Sequence, residues 1–260
     1  MQLNGKFALV TGAGSGIGRA LAIEASKRGM TLALCGRRPD ALAGTLALLD
    51  ASKAHIVIPA DLTRAEDRAT IVSRLTEAWG RLDVLVNNAG VVTGGPLEKE
   101  TDAALEQVVA TNVTAPIALT RDLLPLLLAA KPSLVVNIGS MFGDIPYPLF
   151  AAYSATKFAL RGFSEALRRE YRERGISVTY AAPRATKTEG VDALEKLIAA
   201  MQPKLDDPAT VAAQIWTAVE KGEASVYPGR AERLFVVLQR LFPAFIDSAV
   251  CKQMAKLIAS

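Results

Sequence analysis

The chain has 260 residues, of which 50% are hydrophobic and 22% are charged, and its net charge is +4. This length and composition are typical of a globular protein with a full core rather than of a disordered chain. The basic and acidic residues are interspersed, without the block of like charge that nucleic-acid tails carry, so we expect no nucleic-acid partner.

Neither the cysteines nor the apolar runs indicate an exported or membrane-spanning protein. Cys35 and Cys251 lie at opposite ends of the sequence, a spacing typical neither of a disulfide framework nor of metal ligands. The first residues lead directly into a strand pattern without a signal segment. No run of about 18 uninterrupted apolar residues occurs. We therefore expect a cytoplasmic protein without a transmembrane segment or a metal site.

Short apolar runs alternate with amphipathic stretches of helical length. The predicted strands are 7–10, 31–34, 56–58, 84–86, 134–138, 178–181 and 224–227, and 64–79 and 153–174 are examples of predicted helices. Strands that alternate with helices form βαβ units, and nearly continuous apolar strands are covered on both faces. The sequence therefore predicts a Rossmann-like, doubly wound α/β fold with a mostly parallel, seven-stranded sheet.

The pattern indicates a single domain over residues 1–230. A loop at about 183–205 follows the sixth strand and carries a helical patch at 191–201. Residues 231–260 are predicted to be an amphipathic helical extension of the same domain, interrupted at Pro243. Ligands of open parallel sheets bind at the carboxyl ends of the strands, so the residues that follow each strand are the candidates for function.

A glycine-rich turn follows the first predicted strand. Gly12, Gly16 and Gly18 fit the pattern GxxxGxG, whereas the stricter pattern GxGxxG does not fit. Glycine lets the chain turn tightly and approach a pyrophosphate, whose charge then lies at the positive N-terminus of the next helix. Strand-to-helix packing alone also uses such turns. The strand before and the helix after favour a dinucleotide site that includes Ser15 and Ile17.

Two arginines follow the second predicted strand, where NAD-binding folds place an acid on the ribose hydroxyls. Here Arg37 and Arg38 come first, and no acid precedes Asp40. A guanidinium forms paired hydrogen bonds with a 2′-phosphate. We therefore predict NADP(H) as the favoured cofactor and NAD(H) as the alternative. The plainer interpretation is that both arginines are solvated surface charges.

A tyrosine and a lysine lie four residues apart in a predicted helix. Tyr153 and Lys157 therefore face the same way. An ammonium beside a phenol favours the phenolate, so we expect the pKa of Tyr153 to lie closer to neutrality than about 10, as suits an acid/base. Ser140 follows the fifth strand and is positioned to hydrogen-bond a substrate oxygen. His55 lies away from these motifs, so we expect it to be structural.

In this order the motifs resemble those of the short-chain dehydrogenase/reductase family over roughly residues 5–230. They are Thr11-Gly12-x-x-x-Gly16-x-Gly18, Asp61-Leu62, Asn87-Asn88-Ala89-Gly90, Asn112, Ser140, Tyr153-x-x-x-Lys157 and Pro183 through Thr188. Each motif alone is modest, but seven in this order and spacing are specific. The resemblance implies an oxidoreductase that transfers a hydride between NAD(P) and an alcohol or ketone, and that works as a homodimer or homotetramer.

The resemblance also implies which residues hold the cofactor. Asp61 and Leu62 would hold the adenine, and Asn88-Ala89-Gly90 would shape the cofactor floor. Lys157 and Tyr153 would lie at the nicotinamide ribose. Thr188 would anchor the carboxamide, and Pro183 and Thr186 belong to the same cofactor-binding loop.

The remaining implied roles are catalytic. Asn112 would bind a water that links Lys157 to solvent, Ser140 would orient the substrate oxygen, and Tyr153 would give or take its proton. One residue departs from the family, which usually has glycine after the proline, whereas this chain has Arg184. We expect the charged side chain either to lie at the mouth of the pocket or to point to solvent.

The residues expected to face the substrate are mostly apolar. They are Met141, Phe142, Ile145, Tyr147, Phe150 and the patch at 191–201, together with Ser140 and Tyr153. Apolar walls favour a hydrophobic alcohol or ketone over a sugar. The alternative is that several of these side chains pack against neighbouring residues.

The C-terminal segment combines large apolar residues with basic ones. They are Leu234, Phe235, Val237, Leu238, Leu241, Phe242, Phe245 and Ile246, with Arg230, Arg233, Arg240, Lys252 and Lys256 alongside. Such a segment packs on its own domain or on a second subunit, or lies on a membrane surface. We favour packing and keep peripheral membrane contact as the alternative.

Two other classes of protein share this fold. A catalytically silent nucleotide-binding or scaffold protein has no need of the complete set of Asn112, Ser140, Tyr153 and Lys157. An NAD-dependent isomerase or epimerase resembles longer chains with an added substrate domain. The sequence therefore favours the oxidoreductase.

Overall fold

The computed structural model describes residues 1–186 and 205–258, and these residues form a seven-stranded, all-parallel sheet in the order β3-β2-β1-β4-β5-β6-β7. The strands are β1 Phe7–Thr11, β2 Thr31–Gly36, β3 Ile56–Pro59, β4 Val84–Asn87, β5 Ser133–Ile138, β6 Ile176–Ala181 and β7 Ser225–Val226. Each predicted strand overlaps an observed one, so the predicted fold class is confirmed.

Helices connect the strands and continue to the C-terminus. They are α1 Gly16–Lys27, α2 Pro39–Leu46, α3 Ala65–Trp79, α4 Asp102–Val109, α5 Ala115–Ala130, α6 Ala151–Tyr171, α7 Pro208–Glu220, α8 Arg230–Leu241 and α9 Pro243–Ile258. The predicted helices at 64–79 and 153–174 correspond to α3 and α6. The helical patch predicted at 191–201 lies outside the described residues.

Strand residues alternate between two hydrophobic clusters, one on each face of the sheet. Ala8 and Val10 of β1 join the cluster that contains Trp216 of α7, whose indole N–H donates to Leu21 O in α1 at 3.0 Å. Leu9 joins the opposite cluster, with residues of α3, α5 and α6. Because successive strand residues point to opposite faces, continuous apolar strands are the expected pattern for a sheet covered on both sides.

The topology reverses at β1, which pairs with β2 on one side and with β4 on the other. The carboxyl ends of β1 and β4 therefore border the crevice in which doubly wound sheets bind ligands. His55 lies away from this crevice, at the amino ends of the strands and directly before β3. Its Nδ1 accepts a hydrogen bond from the Leu32 N–H at 2.9 Å. This position agrees with the structural role predicted for it.

The stretch Asp102–Ala130 is long and apolar enough to cross a membrane by length and composition alone. It comprises α4 and α5, joined by a π-helical turn at Ala110–Thr114. Leu119, Leu123 and Leu127 of α5 are fully buried in the cluster beneath the sheet. These contacts are those of a core helix.

Helices α8 and α9 form a C-terminal hairpin, which bends by 118° around the interruption predicted at Pro243. One face packs on the domain, where Ile246, Val250 and Met254 contact Ile145. The other face leaves large apolar side chains exposed, namely Leu234, Phe235, Val237, Leu241, Phe242 and Phe245. The C-terminal segment therefore packs on its own domain, as the sequence analysis favoured, but only through one of its faces.

Candidate active site

The glycine turn lies against the end of β4 with no room for side chains. Gly12 and Gly16 have left-handed backbones, with φ of +64° and +53°. A Cβ on Gly18 would overlap the Gly12 carbonyl oxygen and Nδ2 of Asn88. All three glycines of the predicted pattern are therefore required, two by backbone conformation and one by close approach.

A buried threonine joins the glycine turn to the loop after β4. The Thr11 hydroxyl donates to Val86 O at 3.0 Å and accepts from the N–H groups of Asn88 and Ala89 at 2.9 and 3.1 Å. Nδ2 of Asn88 donates to Thr11 O at 2.9 Å. These bonds hold the floor of the crevice, as the resemblance implied for 88–90. The sequence indicated Thr11 only as a motif residue, without this linking role.

The predicted phosphate-binding arginines border the glycine turn. Nη2 of Arg38 lies 3.3 Å from Oγ of Ser15, the residue that precedes the first turn of α1. Arg37 and Arg38 are both exposed at the end of β2. Ile17, in the first turn of α1, packs with the core below the crevice. The structure therefore brings the N-terminus of α1 and the two guanidinium groups to the same edge.

Asp61 and Leu62 follow β3 at that edge. The Asp61 carboxylate accepts hydrogen bonds from the Thr63 N–H and hydroxyl at 3.0 and 2.7 Å. These bonds, with a smaller contribution from the positive charge of Arg37, lower the pKa of Asp61. Leu62 is buried, and its carbonyl accepts from Nη1 of Arg68 at 2.9 Å.

The three predicted reacting side chains meet where β5 ends and α6 begins. The Ser140 side chain lies near enough to the Tyr153 phenol to lower its pKa. Nζ of Lys157 lies 5.5 Å from the centre of the Tyr153 ring and donates to Ile138 O at 3.2 Å. The structure therefore brings together the serine, the tyrosine and the lysine that the sequence placed on two separate elements.

The pKa of Tyr153 differs from the expectation. Burial raises it to about 12, against the effect of the Ser140 side chain. Burial also lowers the pKa of the Lys157 ammonium to about 8. The pKa of Tyr153 therefore shifts opposite to the predicted direction, because desolvation disfavours the phenolate and the Ser140 side chain only partly opposes this effect.

Asn112 lies in the π-helical turn between α4 and α5, a distortion that recurs at functional sites. Its amide exchanges two hydrogen bonds with the backbone of Val91, both of 2.8 Å, and donates to the Thr156 hydroxyl at 3.2 Å. A Cβ on Gly90 would lie 3.1 Å from Asn112 Oδ1 and 3.7 Å from Lys157 Nζ. Gly90 therefore lets the amide and the ammonium approach the same point.

The loop after β6 contacts the loop that carries Ser140. Pro183 O accepts from the Met141 N–H at 3.1 Å. Thr186 is buried, and its hydroxyl donates to Arg184 O at 2.9 Å. The second threonine predicted on this loop, Thr188, lies outside the described residues.

Arg184 forms an ion pair that the sequence did not predict. Its Nε and Nη2 donate to the two carboxylate oxygens of Asp206 at 2.6 and 2.5 Å. The Asp206 N–H also donates to Ala185 O at 2.9 Å. The guanidinium thus forms a bidentate ion pair with Asp206. The pair is possible because the segment that precedes α7 lies beside the loop that follows β6.

The predicted substrate-facing residues divide into two groups. Phe142 stacks on Tyr147 with ring centres 4.9 Å apart and meets the Tyr153 ring edge-on at 6.1 Å. Met141, Phe142 and Tyr147 are partly exposed. Ile145 and Phe150 are instead buried, because Ile145 packs under the C-terminal hairpin and Phe150 packs on Phe142.

Sequence reasoning missed Tyr180, which lies beneath Ser140. Its hydroxyl accepts from the Ser140 N–H at 3.5 Å and donates to Ser140 O at 3.3 Å. A Cβ on Gly139 or on Gly143 would overlap the Tyr180 ring or hydroxyl. The signal was the pair of glycines that flanks Ser140, although their partner is 40 residues away.

A buried carboxylate, Asp144, also escaped sequence reasoning. It pairs with Arg161 of α6 and accepts from the Tyr227 hydroxyl at 3.1 Å. Arg240 of the C-terminal hairpin lies 3.7 Å away. Burial raises the pKa of Asp144, and the charge of Arg161 opposes this effect. The carboxylate thus ties the Ser140 loop to three other parts of the fold.

Known proteins are similar to this chain in both sequence and fold. The family model described as short chain dehydrogenase matches residues 6–197. The Mycobacterium tuberculosis oxidoreductase named SadH is 32% identical, over 98% of this chain and 97% of its own. A short-chain dehydrogenase/reductase from Burkholderia phymatum, solved with NAD, superposes with a TM-score of 0.86 at 26% identity, covering 94% of this chain and 96% of its own.

A second solved structure carries the other nicotinamide cofactor. The short-chain dehydrogenase from Sphingobium yanoikuyae, in complex with NADPH, superposes with a TM-score of 0.80 at 28% identity, covering 93% of this chain and 95% of its own. Nicotinamide dinucleotides are thus the cofactors of both neighbours. The chain belongs to the short-chain dehydrogenase/reductase family and is an NAD(P)-binding oxidoreductase.

Proposed function

We propose that the protein interconverts a hydrophobic ketone and its secondary alcohol, with NADP(H) as cofactor and Tyr153 as the acid/base. The observation that carries this proposal is the convergence of three side chains: Ser140 follows β5, Tyr153 and Lys157 lie on α6, and Lys157 Nζ is 5.5 Å from the centre of the phenol ring. These groups lie at the carboxyl edge of the sheet, on the same side as the glycine turn.

The residues at this edge fit a dinucleotide. A Cβ on Gly12 would come within 2.8 Å of Asn88 Nδ2, so the turn leaves bare backbone for a pyrophosphate to approach. The N-terminus of α1 follows directly, and Ser15 makes no side-chain capping bond there. When bound, the nicotinamide supplies or accepts the hydride.

The chain's own residues handle the proton and the oxygen. In the reductive direction, the Ser140 hydroxyl donates a hydrogen bond to the carbonyl oxygen and orients it. Tyr153 gives its proton to that oxygen as the carbon receives the hydride, so the products are the alcohol and a phenolate. The Lys157 ammonium stabilises this phenolate until solvent returns the proton. Oxidation runs through the same steps in reverse.

The phenol is suited to donation at neutral pH. With a pKa of about 12, Tyr153 is protonated there, while Lys157, with a pKa of about 8, still carries its charge. The protonated phenol is the form of Tyr153 that ketone reduction requires, whereas alcohol oxidation requires the phenolate.

The preference for NADP(H) rests on Arg37 and Arg38. Arg38 Nη2 lies 3.3 Å from Ser15 Oγ, and no acid stands between β2 and Asp40 to hold the ribose hydroxyls. A 2′-phosphate at this point would meet two guanidinium groups. NAD(H) remains the alternative, since one similar structure contains NAD and another contains NADPH.

The substrate class follows from the loop after Ser140. Phe142 is partly exposed and meets the Tyr153 ring edge-on, and the partly exposed Tyr147 stacks on Phe142. Such a wall binds hydrocarbon better than sugar hydroxyls. We therefore propose a hydrophobic secondary alcohol or ketone.

We also propose that the enzyme works in the cytoplasm. Cys35 and Cys251 are both free thiols, as is usual in that reducing compartment. The exposed apolar face of the C-terminal hairpin is larger than isolated surface residues explain, so we propose that copies of the chain associate there.

The central test replaces Tyr153 with Phe. We expect kcat for the best ketone of a panel to fall about 1,000-fold, because the proton donor is lost. The Kd for NADPH, measured by fluorescence titration, should change less than about threefold, because the ring remains. Tyr171→Phe, at the other end of α6, is the matched control and should keep full activity. Activity of Tyr153→Phe above a tenth of the unmodified enzyme would refute the acid/base role.

A further inference from the structure

We infer that Thr45 sets the preference for a phosphorylated cofactor, because it holds Arg38 at a fixed distance from the glycine turn. This inference rests on the NADP(H) preference proposed above and deepens it. Thr45 lies in α2, the short helix that follows the two arginines. It acts through Arg38 and is therefore a positioning residue.

Thr45 joins α2 to the glycine turn. Its side chain is fully buried, and its hydroxyl lies 2.9 Å from Ala13 O but 3.2 Å from Ala41 O, the carbonyl one turn earlier in its own helix. A helical threonine commonly bonds that earlier carbonyl, whereas here the shorter bond leads to the turn. Leu42 and Thr45 are the buried residues of α2, so Thr45 is the polar anchor of this helix.

Arg19 of α1 extends the same connection. Its Nε donates to the Thr45 hydroxyl oxygen at 3.3 Å, and its Nη2 donates to Gly14 O at 2.5 Å. Hydrogen bonds from a charged donor are stronger than neutral ones. The Thr45 hydroxyl thus accepts from α1 while it donates to the turn, and the three parts of the fold are held as one unit.

Direct contact fixes how closely α2 approaches the turn. A Cβ on Gly14 would lie 3.0 Å from the Ala41 Cβ. Gly14 is not among the glycines with a left-handed backbone, so the approach of α2, and not backbone conformation, makes glycine necessary here.

The position of α2 determines the position of Arg38. Arg38 is the residue at the N-terminal cap of α2, and its carbonyl accepts from the Leu42 N–H at 3.2 Å. Its Nη2 lies 3.3 Å from Ser15 Oγ in the turn. A guanidinium recognises a phosphate through directed, paired hydrogen bonds, so a small displacement of α2 weakens binding of a 2′-phosphate.

The pyrophosphate part of the site does not depend on α2. Thr11 and Asn88 hold the turn from the opposite side, where the Thr11 hydroxyl accepts from the Asn88 N–H at 2.9 Å and Asn88 Nδ2 donates to Thr11 O at 2.9 Å. Loss of the Thr45 hydroxyl therefore loosens α2 more than it loosens the turn. NADPH should lose affinity, while NADH, which has no 2′-phosphate, should not.

The first experiment measures Kd for NADPH and NADH by fluorescence titration of the full-length protein. Thr45→Val keeps the shape and removes the hydroxyl, so Kd for NADPH should rise about tenfold and Kd for NADH should stay within about twofold. Thr45→Ser restores the hydroxyl and should keep both values. Thr76→Val is the matched control, because the exposed Thr76 hydroxyl donates to Val72 O within its own helix at 2.8 Å.

A double-mutant cycle tests whether Thr45 acts through Arg38. In the Arg38→Gln background, Thr45→Val should change Kd for NADPH less than about twofold, because the guanidinium that it positions is gone. A loss that persists in this background, or an equal loss for NADH, is the result of a general structural role and would overturn the inference.

Gly14→Ala provides a second perturbation if Thr45→Val fails to fold. The added methyl pushes against Ala41, so Kd for NADPH should rise about fivefold while Kd for NADH stays within about twofold. An unmodified protein that binds NADH as tightly as NADPH would overturn both the cofactor preference and this inference. A preference for NADPH that survives unchanged in folded Thr45→Val, or in Gly14→Ala, would overturn this inference alone.

Discussion

At the scale of single residues, the Lys157 ammonium is almost completely buried from solvent. Its side chain is 5% exposed, and Nζ donates to Ile138 O at 3.2 Å. Burial lowers its pKa from 10.5 to about 8, which means that the folded state disfavours the charged form. Between these two values the unfolded chain binds more protons than the folded one. This lysine therefore lowers stability most at and below neutral pH, and less as the pH rises.

The pH dependence of unfolding should reveal this cost. Relative to Lys157→Met, the free energy of unfolding of the unmodified protein should rise by about 1 kcal/mol between pH 7 and pH 9. Urea unfolding of both proteins at both pH values measures the difference, and the subtraction removes groups that titrate alike in both. A difference that stays constant or falls with pH would show that Lys157 is not desolvated in this way.

The arginines after β2 allow a test of cofactor choice. The double variant Arg37→Gln, Arg38→Gln should raise the Kd for NADPH roughly 30-fold, since a charge-assisted hydrogen bond contributes about 2 kcal/mol. The Kd for NADH should change less than about twofold, because its ribose carries no phosphate. Fluorescence titration with both cofactors measures this. Equal weakening of both cofactors contradicts recognition of the 2′-phosphate.

At the scale of elements, the ion pair between Arg184 and Asp206 joins the end of β6 to the start of α7. The two residues flank 187–204 along the chain, and an isolated bridge pairs Thr186 with Asp206. Two charge-assisted hydrogen bonds in a partly buried setting fix this junction more firmly than an exposed pair does. The arginine that departs from the family pattern thus has a structural partner of its own.

A double-mutant cycle should measure this coupling. Arg184→Ala and Asp206→Ala are each expected to lower the free energy of unfolding by about 1–2 kcal/mol, and the double variant should lose about 1 kcal/mol less than their sum. Urea unfolding provides all four values. Strict additivity would mean that the pair contributes nothing as a pair.

The loop between β5 and α6 is held from beneath and from the side. Tyr180 of β6 hydrogen-bonds both backbone groups of Ser140, and Asp144 pairs with Arg161 of α6. Buried polar groups with partners on different elements allow few alternative arrangements. The Ser140 hydroxyl is therefore positioned by the sheet and by α6, and not by its own short turn alone.

At the scale of the whole molecule, the C-terminal hairpin has two faces with different partners. Its inner face buries Ile246, Val250 and Met254 against the domain. Its outer face exposes Phe242 and Phe245 at 60% and 65%. Burial of the inner face contributes about 5 kcal/mol, as an upper estimate. The outer face contributes nothing to the stability of a single chain.

Replacing Phe242 and Phe245 with Ser should separate these two faces. We expect sedimentation velocity to shift to the monomer value while the thermal midpoint stays nearly constant, because both rings are exposed in the single chain. Deletion of residues 231–260 should dissociate the protein and destabilise it as well. Unchanged sedimentation together with lost binding to anionic vesicles would favour the membrane alternative.

Local chemistry explains why much of the fold and the site could be predicted from the sequence. Apolar runs gave the strands, because each strand is covered on both faces and needs no distant information. Gly12, Gly16 and Gly18 are required within one turn, and Tyr153 and Lys157 face one way because they lie on one helix. These features depend on neighbours within a few residues.

Tertiary structure alone decided the features that depend on distant residues. The pKa of Tyr153 rises because the assembled fold removes water around the phenol, and the Ser140 side chain opposes this only in part. Arg184 pairs with Asp206, which is 22 residues away in the sequence, and Ser140 hydrogen-bonds Tyr180, which is 40 residues away. Desolvation and long-range pairing are properties of the packed molecule, so no local pattern in the chain encodes them.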